Sequence, residues 1–232
     1  MRAVIFGTTG MVGQGVLREC LIDPSVEAVL TIGRSATGVH NAKLSETVQP
    51  DLYHYSGVES HLQGFDACFF CLGVSSAGMS EEQYEKLTYT LTLAAAETLA
   101  RVNPGMTFVY VSGTGTDSSE KGRVMWARIK GRTENALLRL PFKAAYMFRP
   151  GVIQPVHGAR SRTAVYRVAY TILGPLIPLL RLLFPRYILT TEEVGQAMIQ
   201  VARQGWPRKV LEIGDIHECA KAYRASAGNI QH

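Results

Sequence analysis

Residues 2–22 read Arg2-Ala-Val-Ile-Phe6-Gly7-Thr-Thr-Gly10-Met-Val-Gly13-Gln-Gly-Val-Leu-Arg-Glu-Cys-Leu-Ile22, and this stretch decides the fold. The apolar run up to Phe6 predicts a short buried strand, and the run from Met11 predicts a helix that Pro24 closes. Between them Gly7, Gly10 and Gly13 are spaced G-x-x-G-x-x-G. A side chain at these positions would block the tight turn, the approach of a pyrophosphate, or the packing of the helix on the strand. The helix start also presents free N–H groups and a partial positive charge to phosphate. Strand, glycine turn and helix in this order predict a dinucleotide site, with Gly7, Thr8, Thr9, Gly10, Met11, Val12 and Gly13 around the pyrophosphate.

The end of the next strand, expected over residues 26–32, bears on which dinucleotide fits. It reads Thr31-Ile-Gly33-Arg34-Ser35, without the Asp or Glu that would hold two ribose hydroxyls. A guanidinium can fork onto a 2′-phosphate and Ser35 can add a hydroxyl, whereas a carboxylate would repel it. Arg34 and Ser35 therefore favour NADP(H) over NAD(H); the alternative is an Arg34 that is merely solvated.

Outward from this unit, residues 37–50 read as loop, 52–55 as a short strand and 65–72 as a strong one. Ser80, followed by Glu81, Glu82 and Gln83, opens a long helix to residue 102 that Asn103-Pro104-Gly105 ends. A strand over 106–112, a helix over 123–140 and a strand over 144–148 follow, before Arg149-Pro150-Gly151. This alternation predicts an α/β Rossmann-type, doubly wound, mostly parallel sheet with a small C-terminal helical cap. The expectation is one domain over residues 1–232, with residues from about 151 onward adding a substrate-side lobe at the sheet's C-terminal edge. Within that lobe the apolar run over 165–189 is broken by Pro175, Pro178, Arg181 and Pro185, which suits a substrate cap or a membrane-surface helix better than a spanning one.

At 47% apolar and 19% charged residues the chain is composed like a globular protein, not a disordered one. The net charge of +5 comes from dispersed Lys and Arg, so it reads as solvated surface plus a site for an anionic cofactor, and nucleic acid is not an expected partner. Cys68 and Cys71 spell C-x-x-C, but three residues apart on a strand they point to opposite faces and cannot share a metal. His40, His54, His61, His157 and His217 show no metal-ligand spacing, so no metal site is expected. The first residues do not resemble a signal peptide, which leads to a cytoplasmic expectation.

These residues resemble the atypical branch of the short-chain dehydrogenase/reductase superfamily, and the chain is similar to proteins labelled NAD-dependent epimerase/dehydratase and to relatives of the Tat-interacting protein. The resemblance rests on the glycine turn, Cys71-Leu72-Gly73, Val109-Tyr-Val-Ser112, Lys130 and Arg149-Pro150-Gly151, and covers about residues 1–215. It implies that Asp66 lies near the adenine and that Leu72 and Gly73 lie against the adenosine. It further implies that Ser112, with Thr114 as the alternative, bonds a substrate carbonyl. Lys130 would bridge the nicotinamide ribose hydroxyls, and Pro150 and Gly151 would shape the nicotinamide pocket.

One position departs from the family. Its acid is a tyrosine four residues before the lysine; here the segment is Trp126-Ala-Arg-Ile-Lys130. Positions four apart share a helix face, so lysine can lower a phenol's pKa, but an indole N–H only donates and does not ionise near neutral pH. Losing a general acid forfeits about 10²- to 10⁴-fold in rate. Trp126 is either a flat wall beside nicotinamide or a packed replacement for the ring, and Ser112, Thr114, Tyr84, Tyr89 or water would have to supply the proton. Two functions follow: an NADP(H)-dependent oxidoreductase or epimerase-like enzyme for a small hydrophobic carbonyl or alcohol, or a non-catalytic NADP(H)-binding regulator like the NmrA proteins. A homodimer through the long helices, and peripheral membrane contact through residues 165–189, are further expectations.

Overall fold

A computed structural model describes residues 1–159 and 188–228 of the chain. Strand β1 (Arg2–Phe6), buried from Ala3 onward, lies in the middle of a seven-stranded sheet. Parallel to it run β2 (Ala28–Gly33) and β3 (Leu44–Val48) on one side. On the other lie β4 (Ala67–Phe70), β5 (Thr107–Val111), β6 (Ala144–Phe148) and the short β9 (Val210–Leu211), again parallel. Chain order reverses between β1 and β4, which places the ligand crevice of such a sheet at the C-terminal ends of these two strands. The doubly wound parallel sheet is as expected from the alternation of elements.

Two assignments change. The stretch expected as loop over 37–50 contains β3, and residues 52–55 form no strand. Leu44-Ser-Glu-Thr-Val48 is an edge strand whose middle residues face water, so the apolar signal of a buried strand is missing; the Thr31 hydroxyl donates to Glu46 at 3.2 Å across the pair. Leu52 and Tyr55 are buried instead beneath the sheet, where the Tyr55 ring meets Phe6 edge-on at 6.2 Å.

Helices cover both faces. On one, α2 (Glu81–Glu85), a π-helical turn (Lys86–Thr90), α3 (Leu91–Val102) and α4 (Met125–Arg139) enclose a ladder of rings. Phe6, Phe70, Phe108 and Phe142 stand at successive centroid distances of 5.1, 5.8 and 5.0 Å. Burying each such side chain stabilises the fold by about 1.5–3 kcal/mol. Ser80 forms the expected capping box with Gln83, and the helix expected over 80–102 is interrupted only by the wider turn at Lys86–Thr90.

The other face is closed by α1 (Met11–Ile22), α5 (Thr191–Gln204) and α6 (Ile213–Gly228). Helices α1 and α5 approach so closely that a Cβ on Gly15 would stand 2.6 Å from the Thr191 Cβ. The Gln196 amide donates to buried Glu19 at 3.2 Å, across 177 residues of sequence. Residues from 191 onward therefore build a layer of the main sheet. Most of the cap expected over 165–189 lies outside the described residues; Ile188 and Leu189 belong to β8 (Ile188–Thr190), which pairs with β7 (Val152–Gln154). Among the described residues no helix is long and apolar enough to cross a membrane.

Candidate functional site

The glycine turn closes onto the end of the neighbouring strand. Gly7 has φ +81°, and a Cβ there would lie 2.7 Å from the backbone of Cys71 and Leu72. At Gly13 a Cβ would lie 2.2 Å from the Gly7 carbonyl oxygen, so helix α1 could not seat against the turn. The Gly10 N–H donates to that carbonyl at 2.9 Å. Gly10 is the N-cap of α1 and makes no side-chain cap, and the first turn carries no acid. The helix start thus offers its N–H groups and positive end toward the crevice, with Thr8 buried and Thr9, Met11 and Val12 half-buried around it. Leu72 and Gly73 leave β4 directly opposite. Beside this turn a cleft of about 510 Å³ runs along α1 from Thr8 and Thr9 to Ile22, and it touches none of the residues expected to do chemistry.

Arg34 and Ser35 are exposed just beyond β2, on the same edge as Gly7. The Gln49 N–H donates to the Gly33 carbonyl at 2.9 Å, so β3 ends there too and delivers Asp51 and Tyr53 to this edge. Asp66 does not lie there. Its carboxylate accepts the Arg2 N–H at 2.7 Å, at the N-terminal end of β1 and β4, so the expectation that it approaches adenine is corrected. A strand rises about 3.3 Å per residue, which puts Asp66 roughly 16 Å from Cys71 and the crevice. The carboxylate that does follow a strand at the right edge is Asp51. It is held below the usual carboxylate range by the His54 ring and by the Tyr53 N–H. Only the placement of β3 reveals it.

On the other side of the crevice β5 ends at Ser112, and its hydroxyl is already engaged. Ser112 is buried, with Oγ 2.5 Å from Glu134 Oε1 and 3.1 Å from the Phe148 carbonyl oxygen. Glu134, fully buried on α4, also takes Arg149 Nε at 3.1 Å and Nη2 at 2.5 Å. Arg149 continues to Ser118 Oγ at 2.5 Å and Glu212 at 3.2 Å. The Lys130 ammonium donates to the Ser112 carbonyl. Burial pushes this lysine down to about 8, opposed by the Glu134 carboxylate one turn away. A buried carboxylate with two cations and a hydroxyl around it is satisfied, and removing one partner would strand the rest.

The exposed hydroxyl here is Thr114. Its Oγ1 donates to the Arg149 carbonyl at 3.0 Å and its N–H to the Pro150 carbonyl at 2.9 Å, which brings it beside Gly151. The half-buried Trp126 indole lies over Gly115, one helical turn above Lys130 on α4. Two expected proton donors drop out. Tyr84 is buried next to Tyr110, and the Tyr89 ring lies under the Arg132 guanidinium at 4.2 Å on the outer side of α4. Tyr84, on α2, points into the core, and Tyr89, in the π-helical turn, lies against Arg132 of α4. Glu134 is the residue that sequence reasoning missed. It stands four residues after Lys130, but its burial depends on Arg149, a strand away.

Cys68 packs in the core beneath α3 while Cys71 packs toward α1, so the two thiols do face opposite ways. Burial holds Cys71 up at about 12, so it stays a protonated, weakly reactive thiol. Among the described residues no cluster of His, Cys, Asp or Glu has the makings of a metal site.

No family model matches the chain. It is 27% identical to the mitochondrial protein FMP52 of Meyerozyma guilliermondii, with 97% of each chain aligned. It is 32% identical to the mitochondrial protein fmp52 of Emericella nidulans over 64% of this chain and 65% of that one. An oxidoreductase of the short-chain dehydrogenase/reductase family from Burkholderia thailandensis superposes with a TM-score of 0.65 at 15% identity, over 99% of this chain and 96% of that one. The Bordetella bronchiseptica enzyme WbmF, solved in complex with NAD+, superposes with a TM-score of 0.64 at 17% identity, over 98% of this chain and 78% of its own. The chain has the short-chain dehydrogenase/reductase fold.

Within that fold the glycine turn, Leu72, Gly73, Lys130, Pro150 and Gly151 stand around one crevice, whereas Asp66 is at the opposite edge and Tyr84 and Tyr89 are turned elsewhere. The relatives also correct the cytoplasmic expectation, because these fungal proteins are named as mitochondrial.

Proposed function

We propose that the protein binds NADP(H) in the crevice between β1 and β4 and acts as an oxidoreductase or epimerase-like enzyme on a small, hydrophobic carbonyl or alcohol. One observation carries this reading: the Gly7 turn fits against Cys71 and Leu72 with no room for a side chain, at the start of a helix that no side chain caps. Such a cradle suits a pyrophosphate. Arg34 and Ser35, at the end of β2, favour the cofactor with the additional phosphate.

When bound, the nicotinamide gives or takes a hydride at the substrate carbon. Thr114 is the exposed hydroxyl at this end, and in this reading it meets the substrate oxygen by turning its proton away from the Arg149 carbonyl, whereas the Ser112 hydroxyl is buried against Glu134 and the Phe148 carbonyl. Ser112 then acts through its backbone, by holding the Lys130 ammonium. With an indole at position 126, Lys130 is the group beside the crevice that exchanges a proton near neutral pH. Trp126 offers a flat apolar wall, consistent with a hydrophobic substrate.

The second reading, an NADP(H)-binding regulator without turnover, is favoured by Trp126 and by the internally satisfied state of Ser112 and Glu134. Calorimetric titration and a turnover assay separate the two. NADPH should bind at least tenfold more tightly than NADH, and equal affinities would remove the role given to Arg34. An enzyme consumes NADPH across a panel of quinones, aldehydes and ketones, and Trp126→Tyr should raise that rate about tenfold or more by restoring a phenol above Lys130. Tight binding with silence in both proteins supports the regulator.

A further inference from the structure

The adenosine end of the crevice carries more positive charge than Arg34 alone. Tyr53 leaves the β3 edge half-buried, and its hydroxyl donates to the Lys86 carbonyl at 3.3 Å, tying this loop to the π-helical turn. The Lys86 ammonium stands 5.9 Å from the centre of the Tyr53 ring. Burial raises the Tyr53 phenol, Asp51 adds to that, and the Arg34 guanidinium is near enough to pull the other way. Arg34, Tyr53 and Lys86 thus form one cluster from three separate segments: the end of β2, the loop after β3, and the turn between α2 and α3.

Its charges are not answered by an acid among the described residues. Among the described residues neither Arg34 nor Lys86 takes part in an ion pair, whereas two acids that precede Lys86 on α2 are engaged, Glu81 with Arg128 and Glu85 with Arg132. The nearby Asp51 carboxylate is occupied by His54 at 2.8 Å and by the Tyr53 N–H at 2.9 Å. Two cations beside an aromatic face, at the edge where the glycine turn opens, suit a phosphate attached to a flat base.

Resting on the NADP(H) reading above, we propose that Tyr53 and Lys86 complete the adenosine subsite, Tyr53 as the platform for the base and Lys86 as a second cation for the 2′-phosphate. Arg34 and Lys86 both serve the phosphate, and the ring beside them sets the depth of the base. The structure makes Lys86 a specificity residue for the additional phosphate and Tyr53 an affinity residue for any adenosine nucleotide.

The test uses the full chain and two nucleotides without nicotinamide, adenosine 2′,5′-bisphosphate and 5′-AMP, titrated by calorimetry at low salt. Lys86→Met should weaken the bisphosphate about tenfold and leave 5′-AMP within twofold, while Tyr53→Leu should weaken both by about five- to fiftyfold. Tyr53→Phe keeps the ring and should match the wild type on 5′-AMP. Lys86 is exposed, and an unchanged melting temperature shows that each variant is folded. If Lys86→Met leaves the ratio of the two affinities unchanged while wild-type protein binds the bisphosphate, Lys86 has no part in the subsite. If folded wild-type protein binds neither nucleotide, the NADP(H) reading fails and takes this proposal with it.

Discussion

The two ends of the crevice are built on opposite plans. At the adenosine end the protein contributes backbone and charge: a glycine turn, a bare helix start, and the cations Arg34 and Lys86, which pair with no acid among the described residues. At the nicotinamide end nearly every polar group has a partner within the chain. Glu134 alone joins Ser112 and Arg149, Arg149 passes on to Ser118 and Glu212, and Lys130 rests on the Ser112 carbonyl. The first end needs a ligand to complete it, while the second is preorganised without one. Binding and chemistry are therefore separable here, and a change at one end should leave the other standing.

The largest effect should follow from breaking the first end. Gly13→Ala sets a Cβ 2.2 Å from the Gly7 carbonyl oxygen, so either the turn or the helix must move. Dinucleotide affinity measured by calorimetry should fall more than a hundredfold, and chemical denaturation should show a loss of about 2–4 kcal/mol from the displaced helix. An alanine variant that binds NADPH normally would contradict the close fit of turn and helix.

Next comes the closed network. Glu134→Leu leaves the Arg149 guanidinium without its buried partner and should cost about 3–5 kcal/mol in urea denaturation. Adding Arg149→Met should recover at least half of that loss, because both charges are then gone from the interior. Separability predicts that adenosine 2′,5′-bisphosphate still binds to either folded variant with near wild-type affinity. A parallel loss of nucleotide binding would show that the two ends are mechanically joined.

Lys130 gives the smallest and most diagnostic effect. Its folded value near 8 lies below the ordinary 10.5, so between these limits the unfolded chain holds a proton that the folded chain has released. Stability from this group accordingly rises with pH across that window, and the penalty is fully present below it. The difference in unfolding free energy between wild type and Lys130→Met should shift in favour of the wild type by about 1–2 kcal/mol from pH 7.5 to 10.5. The hydrogen bond lost from the Ser112 carbonyl adds only a constant offset. A flat difference would mean that the lysine is not desolvated.

What can be read from the sequence divides along the same line. The glycine turn and the Ser80 capping box are legible because each signal lies within a few residues and acts through backbone geometry. Strand β3 is illegible because an edge strand with one wet face carries Ser45, Glu46 and Thr47 where a buried strand would carry valines. Asp66 is misplaced because a residue's rank before a strand does not reveal which end of the sheet meets the ligand; the register with Arg2 does. Ser112 is recognisable as a serine at a strand end, yet what its hydroxyl does depends on Glu134 and Arg149, which are joined only through tertiary packing. Trp126 stands in full view in the sequence, and its consequence waits on where Lys130 and Thr114 are held.

The contact between α1 and α5 bears on how the chain is made. The helix that starts at the nucleotide turn leaves the ribosome some 180 residues ahead of Thr191 and Gln196, which cover it. Until then Val16, Leu17 and Cys20 have only the strands to lie on, and a nascent chain halted before residue 191 would display an uncovered oily stripe next to an unfinished cradle. Once residues 191–204 have emerged, closure of that layer and readiness for the nucleotide arrive together, so ligand present during synthesis should rescue slow-folding variants more effectively than ligand added afterwards.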